Sequence, residues 1–319
     1  MNPQPLNPKA GQFKRIKRKI SGVLLLDKPS RISSNQALQI AKRIFTAAKA
    51  GHTGTLDPLA TGLLPICFGE ATKFSSALLG ADKTYEATLE LGYISTTGDA
   101  EGEISACDAL SRDMKPTLLQ AETILRSFVG PIMQVPPMYS ALKHRGKPLY
   151  AYARAGVEIE RQAREVVIYD LQLKVLADTK MDIVVKCSTG TYVRTLAEDI
   201  GKALGCGGAY LTVLRRSVIG GFGLSQAYTL DALEAMPLAQ RDACLHSIDS
   251  LLHNFPAATL DGAGVTSLRQ GQVVKACFMG DSPEGTKIRL YDQEKRFLGV
   301  GEVTVQGEIA PRRLIDCME

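Results

Sequence analysis

The sequence predicts an α+β protein with more than one domain. Over residues 21–250, segments that alternate apolar and polar side chains, as half-buried antiparallel strands do, are interspersed with amphipathic helical segments. Residues 261–319 carry short apolar runs separated by Gly and Asp, a pattern typical of a small β-barrel. The length of 319 residues also exceeds that of an ordinary single domain.

The individual elements follow from these patterns. Alternation is strictest in KTYEATLEL at 83–91, which places Tyr85 on the inward face of a strand. Ser33 or Ser34 can cap the first helix, and Thr191 can cap a later helix that Gly205 ends. The expected elements are strands at 21–26, 83–91, 166–176 and 181–187, helices at 34–44, 116–128 and 193–204, and C-terminal strands at 273–274, 288–290, 297–300 and 303–305.

Two segments are expected to be irregular. Residues 51–65, GHTGTLDPLATGLLP, contain three glycines and two prolines, which predicts a tightly turned loop. Residues 131–155 mix prolines, tyrosines and cations without any acidic residue, which predicts an inserted hairpin or loop with a short helix. The interleaved residues are Lys143, Arg145, Lys147 and Arg154 with Tyr139, Tyr150 and Tyr152. Such a surface can grip a folded nucleic acid, although an ordinary solvated loop would have the same charges.

Positive charge is concentrated at the N-terminus. Residues 1–20 hold six Lys and Arg and no acidic residue, which leaves −1 of the net charge of +5 for the rest of the chain. Prolines and a glycine interrupt this segment, so we expect a disordered basic arm, for which a polyanion is the usual partner.

The composition narrows the class of protein. Hydrophobic residues make up 45% and charged residues 22%, as in folded soluble proteins. The longest apolar run, at 63–68, is too short to cross a bilayer, and we expect no secretory signal. Seven widely spaced cysteines argue against a disulfide framework and fit a reducing cytoplasm.

Missing motifs narrow the chemistry. The sequence contains no phosphate-binding G-x-x-x-x-G-K-[ST] loop, no G-x-G-x-x-G, no H-E-x-x-H and no G-x-S-x-G. The four histidines do not cluster with the cysteines at metal-ligand spacing. We therefore expect chemistry without a metal or a nucleotide cofactor.

Asp57 is the strongest candidate for a reacting group. The proline after it restricts its backbone, and Gly54 and Gly62 allow sharp bends on either side, so its carboxylate would be held in place. Arg194 lies in the first turn of a helix, where the macrodipole disfavours a cation, so an anion is expected beside it. If that anion is Asp57, its pKa should fall below the usual value. Alternatively, Asp57 sits in an ordinary turn and Arg194 faces solvent or pairs with Glu198.

Tyr85 is the third candidate. An aromatic ring on the inner face of a strand is commonly part of the core. At the mouth of a sheet, however, a tyrosine can stack on a planar base while its hydroxyl stays polar. Both interpretations remain open from the pattern alone.

Four segments resemble the signature segments of the TruB family, the bacterial tRNA pseudouridine-55 synthases. They are LLLDKPS, GHTGTLDPLATGLLP, KTYEATLELG and GTYVRTLAEDIG, in the family's order and at similar spacings. The resemblance continues through QVPPMYSALKHRGKPLYAYARAG, which is similar to the family's thumb segment, and through APRRL. It covers roughly residues 20–315, and the 1–20 arm matches nothing in it.

The resemblance implies a fold and an activity. The fold is a catalytic domain (21–250) with a mixed, mainly antiparallel sheet flanked by helices and a thumb insertion at about 131–163, followed by a PUA-like β-barrel (251–319). The activity is isomerisation of uridine 55 in the TΨC loop of tRNA, without a cofactor. The partner is the T arm of tRNA, and the enzyme is expected to be a cytoplasmic monomer.

The resemblance also implies site residues. Asp57 matches the essential aspartate, Tyr85 the active-site tyrosine and Arg194 the arginine partner of the aspartate. His52 matches a histidine that takes the place of the flipped base. Lys28, beside Pro29, matches the motif that supports the catalytic loop. The expected RNA-binding residues are Lys28, His52, Lys73, Asp99, Lys143, Arg145, Lys147, Arg154 and Leu214.

Several alternatives stay open at this point. The carboxylate could attack C1′, attack C6 of the uracil, or remove a proton from C2′. The protein could instead bind or fold RNA without catalysis. It could also be a glycoside hydrolase or nucleosidase, although Asp57 has no second carboxylate in its own loop.

The first prediction concerns the aspartate itself. Asp57→Asn should abolish product while leaving tRNA binding largely intact, because the reaction requires a carboxylate and binding does not. Tritium release from 5-tritiated uridine tRNA measures the first property and a filter-binding titration the second. Full activity in this variant, after deamidation has been excluded by mass spectrometry, would remove Asp57 from the mechanism.

Overall fold

The computed structural model describes residues 17–108, 111, 114–275 and 283–316. Its strands are β1 (Gly22–Lys28), β2 (Ala50–His52), β3 (Thr61–Phe68), β4 (Lys83–Leu91), β5 (Tyr93–Ser95), β6 (Ile104–Ala106), β7 (Gly130–Gln134), β8 (Lys143–His144), β9 (Lys147–Pro148), β10 (Arg164–Ala177), β11 (Lys180–Cys187), β12 (Ala209–Ile219), β13 (Phe222–Gly223), β14 (Ala257–Thr259), β15 (Lys287–Tyr291), β16 (Phe297–Val303) and β17 (Ile309–Leu314).

The helices of the described part are α1 (Ser34–Ile44), α2 (Ser76–Leu79), α3 (Leu118–Ser127), α4 (Leu149–Ala153), α5 (Val193–Ala203), α6 (Leu230–Ala235), α7 (Leu238–Ala243) and α8 (Gly262–Arg269). Short 3-10 turns lie at Gly69–Phe74, Leu224–Gln226 and Ile248–Leu252. In this part of the chain, no helix has both the length and the apolar character that a membrane crossing requires.

A nine-stranded sheet forms the centre of the described chain. The strand order is β1-β3-β12-β4-β11-β10-β7, with β2 paired to β3 and β13 paired to β12. Strands β12 and β3 run parallel, and the other pairs in this sheet are antiparallel. The predicted mixed, mainly antiparallel sheet flanked by helices is therefore confirmed.

Strand β1 is buried on both faces because the sheet is covered by two apolar layers. Leu24 and Leu26 face a core that they share with α1 and α5. Val23 and Leu25 face a second core that includes residues of the 3-10 turn at Ile248–Leu252. This double burial explains why the strand is an unbroken apolar run instead of an alternating one.

The ends of two helices test the predicted caps. Ser33 caps α1 as predicted, since its side chain accepts the Gln36 N–H at 3.2 Å. Helix α5 ends before Gly205, which has the predicted positive φ of +79°. Thr191 does not cap α5, because Tyr192 occupies the N-cap and the Thr191 hydroxyl instead donates to the Ser188 carbonyl at 3.0 Å.

The predicted loop at 51–65 is shorter than expected. Residues up to His52 belong to β2, and β3 already begins at Thr61. Pro65 is tolerated inside β3 because β12 pairs with this strand only at Thr61 and Gly62, and β2 only from Ile66 onward. The irregular segment is therefore confined to residues 53–60 around the candidate aspartate.

The predicted thumb boundary is also corrected. Residues 130–134 form β7, which is paired antiparallel with β10 at the edge of the central sheet. Main-chain pairing makes these residues part of the sheet, although their prolines and apolar side chains suggested an insertion. The thumb is therefore residues 135–163, which contain the β8–β9 hairpin and α4.

The C-terminal part forms a separate four-stranded sheet in the order β14-β15-β16-β17, as a PUA-like domain would. Its own core includes Ile288, Leu290, Leu298 and Ile309. The predicted strand at 303–305 is wrong beyond its first residue, because the chain turns there. Strand β17 was missed, since its sequence IAPRRL does not alternate.

The last four residues of the predicted arm are folded onto the body. The Arg18 N–H donates to the Thr46 carbonyl at 2.7 Å. The Arg18 guanidinium pairs with Asp242, with Nη1 at 3.0 Å from Oδ1. The prediction of disorder is therefore wrong for residues 17–20, and residues 1–16 lie outside the described part.

The fold predicts a sharp difference between two glycines. Gly62 has a φ of +99°, and a Cβ there would meet the Arg216 carbonyl oxygen at 2.3 Å, whereas a Cβ on Gly80 would meet nothing within 4 Å. Gly62→Ala should lower the free energy of unfolding by about 2–4 kcal/mol, from backbone strain and steric overlap together. Gly80→Ala should change it by less than about 0.5 kcal/mol. Urea denaturation measures both, and equal midpoints would contradict the close approach of β3 and β12.

Candidate active site

Asp57 and Arg194 meet in the structure. The Arg194 Nη2 lies 3.0 Å from the Asp57 Oδ2, although the two residues come from the 53–60 loop and from α5. A turn holds Asp57 in place, since its carbonyl accepts the Ala60 N–H at 3.1 Å. The alternatives for Arg194 are wrong, because its side chain is only 5% exposed and Glu198 pairs with Lys202.

The Arg194 guanidinium is held from three further directions. Its Nη1 donates to the Thr97 carbonyl at 2.7 Å, and its Nη2 donates to the Tyr139 carbonyl at 2.8 Å. Its Nε lies 3.8 Å from the Asp99 Oδ2. Since guanidinium donors point in fixed directions, these contacts orient Nη2 toward Asp57.

Asp99 lies behind Arg194 and not on a surface that RNA could reach. The residue is only 2% exposed. Its Oδ1 accepts the Thr97 hydroxyl at 2.6 Å and the Glu101 N–H at 3.1 Å. This burial gives no support to the expected RNA contact, and the Asp99 carboxylate instead faces Arg194.

The pKa of Asp57 departs from the expected direction. Burial raises the pKa of Asp57 above its ordinary value, Arg194 and Lys28 lower it, and Asp99 raises it. The side chain is 35% exposed, yet protein atoms surround most of it, so burial outweighs the guanidinium. The predicted depression of this pKa is wrong, and Arg194 limits the rise instead of reversing it.

Lys28 supports the catalytic loop from below. Its side chain is fully buried, and its Nζ donates to the carbonyls of Pro29 at 2.9 Å, Ile32 at 2.7 Å and Pro58 at 3.3 Å. Burial lowers the pKa of Lys28 to about 8. Lys28 therefore ties the residue after Asp57 to the end of β1, and direct contact with RNA is blocked by its burial.

Arg216 is a residue of the site that the sequence did not single out. It is 1% exposed and lies opposite Tyr85 in the β4–β12 ladder, where its charge opposes the rise in the pKa of Tyr85 that burial causes. Its Nε donates to the Leu63 carbonyl at 2.7 Å and its Nη2 to the Gly54 carbonyl at 3.4 Å. The available signal was the pair of consecutive arginines in the apolar strand AYLTVLRRSVI, of which the first pairs with Asp27.

Tyr85 and His52 flank this arginine. Burial raises the pKa of Tyr85 and lowers the pKa of His52, whose Nδ1 is buried without a partner in the described residues. Both side chains are therefore uncharged near neutral pH, which suits stacking against a base. Leu214 is a buried core residue of β12.

The remaining predicted RNA contacts fall into two groups. Lys143, Arg145, Lys147 and Arg154 are exposed on the thumb, where Lys147 and Arg154 lie over the rings of Tyr152 and Tyr150 at 4.8 and 5.5 Å. None of the four makes an ion pair with another described residue. These cations are therefore available to phosphates.

Lys73 is instead part of the junction between the two domains. Its Nζ lies 2.6 Å from Glu70 and donates to the Leu314 carbonyl at 3.1 Å. The Arg313 guanidinium donates to the Lys73 carbonyl at 2.7 Å, and the Asp316 N–H donates to Glu70 at 2.8 Å. Ring contact between Phe74 and Phe297, at 5.6 Å, adds an apolar part to this junction. The expected RNA role of Lys73 gains no support from this position.

A cavity of about 400 Å³ opens at a different place, between α1 and α7, where Ile44, Met236 and Arg241 form part of its wall. Asp57, Tyr85 and Arg194 do not line it. Its wall holds a carboxylate–guanidinium pair, Glu234 and Arg43 at 3.8 Å, but these side chains are 64% and 67% exposed, whereas Arg194 beside Asp57 is 5% exposed. The buried guanidinium makes the Asp57 pair the stronger candidate site.

Comparison with known proteins identifies the family of the chain. Residues 42–193 match the N-terminal domain of TruB family pseudouridylate synthases, and residues 194–255 and 256–315 match two C-terminal TruB models. The chain is 63% identical over 302 residues to the tRNA pseudouridine synthase B of Nitrosospira multiformis, covering 94% of this chain and 96% of that protein. The chain belongs to the TruB family.

Other relatives extend the comparison. This TruB-family chain is 55% identical over 304 residues to the tRNA pseudouridine synthase B of Methylobacillus flagellatus, covering 95% of this chain and 98% of that one. It also shares its fold with an archaeal box H/ACA sRNP Nop10–Cbf5 complex, at a TM-score of 0.69 and 21% identity over 92% of this chain and 85% of that one. The α+β pseudouridine synthase fold is thereby confirmed.

The electrostatics of the TruB-family site predict opposite effects for two variants. Arg194 lowers the pKa of Asp57 and Asp99 raises it. If the ionised carboxylate is the active form, the rate falls as the pH drops through this pKa. The acidic limb is the low-pH part of the pH–rate profile, where the rate falls. Arg194→Met should therefore move this limb to higher pH, and Asp99→Asn should move it to lower pH.

The measurement is the single-turnover rate of pseudouridine formation as a function of pH. Glu103→Gln, at an exposed position of the same β5–β6 hairpin region, is the control and should leave the limb in place. Shifts in the same direction for both variants would show that geometry, and not charge, dominates the effect of these residues.

Proposed function

We propose that the protein isomerises uridine 55 in the TΨC loop of tRNA to pseudouridine. The observation that carries the proposal is the Asp57–Arg194 pair, in which Arg194 Nη2 lies 3.0 Å from the Asp57 carboxylate. The exposed cations of the thumb support a nucleic acid as the substrate. The relatives named tRNA pseudouridine synthase B support tRNA as that nucleic acid.

The reaction breaks the C1′–N1 bond, rotates the uracil and forms the C1′–C5 bond, after which C5 loses its proton and N1 carries one. The glycosidic bond is unreachable in a stacked loop, so the base must be flipped out at a cost of a few kcal/mol. Phosphate contacts from the thumb offset this cost. His52, uncharged and beside the 53–60 loop, is placed to fill the vacated position in the stack.

Asp57 supplies the carboxylate for any of the three routes, which are attack at C1′, attack at C6 and removal of the C2′ proton. Each route requires the ionised form, whose formation is opposed by burial and favoured by Arg194. Arg194 therefore both pairs with the Asp57 carboxylate and orients it.

Tyr85 is assigned to stacking on the uracil. Because burial raises the pKa of Tyr85, its neutral phenol dominates at neutral pH. A neutral phenol is a poor base, so this assignment does not extend to removal of the C5 proton. Arg216, which lies opposite Tyr85 in the β4–β12 ladder, would help to keep the ring in its stacking position.

We further propose that the enzyme acts as a cytoplasmic monomer on tRNA without a protein partner. Five described cysteines are free thiols, which is compatible with a reducing compartment. Activity of the purified chain alone, at a molar mass of one chain by light scattering, is the expected result. Activity that appears only with an added protein fraction would contradict it.

The decisive experiment maps modified positions in an unmodified tRNA transcript. Wild-type protein should release tritium from 5-tritiated uridine tRNA and convert only position 55, whereas Asp57→Asn should do neither. Release of free uracil would identify a nucleosidase. Binding of tRNA without either product would identify a non-catalytic RNA-binding protein.

A further inference from the structure

Both ends of the thumb meet the start of α5. Gln134 is the last residue before the thumb and Arg164 is the first residue after it, and the two lie opposite each other in the β7–β10 ladder. Gln134 is only 1% exposed. Its Oε1 accepts the Tyr192 N–H at 3.1 Å, and its Nε2 donates to the Tyr192 carbonyl at 3.4 Å. One amide side chain therefore pairs with both polar groups of a single backbone residue.

Tyr192 is the residue from which α5 begins. It is the N-cap of that helix, and its carbonyl accepts the Leu196 N–H at 3.1 Å. The Tyr192 side chain does not cap the helix, and the Tyr192 N–H, which has no partner within the helix, donates to Gln134. Arg194 follows two residues later. A shift of Tyr192 would therefore be transmitted through the first helical turn to the guanidinium.

Arg164, at the other end of the thumb, contacts the same segment before α5. Its guanidinium donates to the Gly190 carbonyl and lies 5.2 Å from the centre of the Tyr192 ring. Both roots of the thumb therefore contact residues 190–192, immediately before α5. We call these contacts of Gln134 and Arg164 the thumb clamp.

The thumb also contacts the catalytic arginine directly. The Tyr139 carbonyl accepts from Arg194 Nη2, the same nitrogen that lies 3.0 Å from Asp57. The next residue, Ser140, accepts the Tyr150 N–H from α4 at 3.1 Å, which ties this strand of the thumb to its helix. Movement of the thumb would therefore act on Nη2 both through this carbonyl and through Tyr192.

We propose that Gln134 is a positioning residue that couples the thumb to the Asp57–Arg194 pair. The inference rests on the proposed function, in which the thumb grips tRNA. When the thumb is seated, the clamp holds the start of α5 where Nη2 reaches the carboxylate. A buried amide is costly unless it is paired, and a core position at this place would accept an apolar residue of similar size. The paired amide is therefore best explained by the alignment that it imposes on α5.

The test replaces Gln134 with Leu, which keeps the volume and removes both hydrogen bonds. With saturating tRNA, the single-turnover rate should fall roughly tenfold to a hundredfold, because small displacements of a reacting pair have effects of this size. The dissociation constant for tRNA should stay unchanged, and the acidic limb should move to higher pH, as in Arg194→Met. Gln134→Glu keeps an acceptor for the Tyr192 N–H but places a buried carboxylate against the Tyr192 carbonyl, so it should not restore the rate.

Two control variants distinguish loss of coupling between the thumb and Arg194 from a general loss of stability and from weaker tRNA binding. Gln172→Leu changes an exposed glutamine on the neighbouring strand β10 and should leave the rate and the limb unchanged. Lys143→Ala with Arg145→Ala should weaken tRNA binding without moving the limb. Gln134→Leu behaving like this thumb variant, with weaker binding and an unmoved limb, would overturn the proposal.

Hydrogen exchange over residues 190–196 gives a readout that does not depend on catalysis. tRNA binding should slow exchange there in the wild type and should do so less in Gln134→Leu. If the wild type forms no pseudouridine but shows this difference, the proposed function fails and the coupling stands. If the wild type is active and tRNA protects both proteins equally, the coupling fails and the function stands.

Discussion

The site depends on a competition between burial and a single guanidinium. Burial raises the pKa of Asp57, and the charge of Arg194 opposes that rise from 3.0 Å away. A carboxylate placed in this way is poorly solvated and therefore reactive when ionised, but it is available only while the guanidinium is correctly directed. The surrounding fold keeps the Arg194 guanidinium pointing at the Asp57 carboxylate.

Separate parts of the chain converge on this one requirement. The β5–β6 hairpin region provides the Thr97 carbonyl and the Asp99 carboxylate, and the thumb provides the Tyr139 carbonyl. Lys28 holds the other half of the pair by tying the 53–60 loop to the end of β1. Since these contacts come from the β5–β6 hairpin region, the thumb and β1, the geometry of the pair depends on all three.

Local sequence patterns predicted much of this arrangement, but they could not predict the parts that depend on contacts between residues far apart in the chain. The alternation of β4, the cap of α1 and the rigid loop around Asp57 are properties of neighbouring residues, so the sequence could predict them. The placement of Arg194 beside Asp57 followed from an unfavourable charge at a helix start. Asp99, Arg216 and Gln134 act through partners 58 or more residues away or through burial, which periodicity does not encode. The prediction of the direction of the Asp57 pKa shift was wrong for the same reason, because that direction depends on how far the folded chain buries the carboxylate.

The junction around Lys73 has a consequence for how a substrate is chosen. The C-terminal sheet is joined to the catalytic domain by charged, main-chain and aromatic contacts together, so the two surfaces keep a set separation. An RNA that touches both surfaces must therefore present its target nucleotide and its more distant stem at a matching spacing.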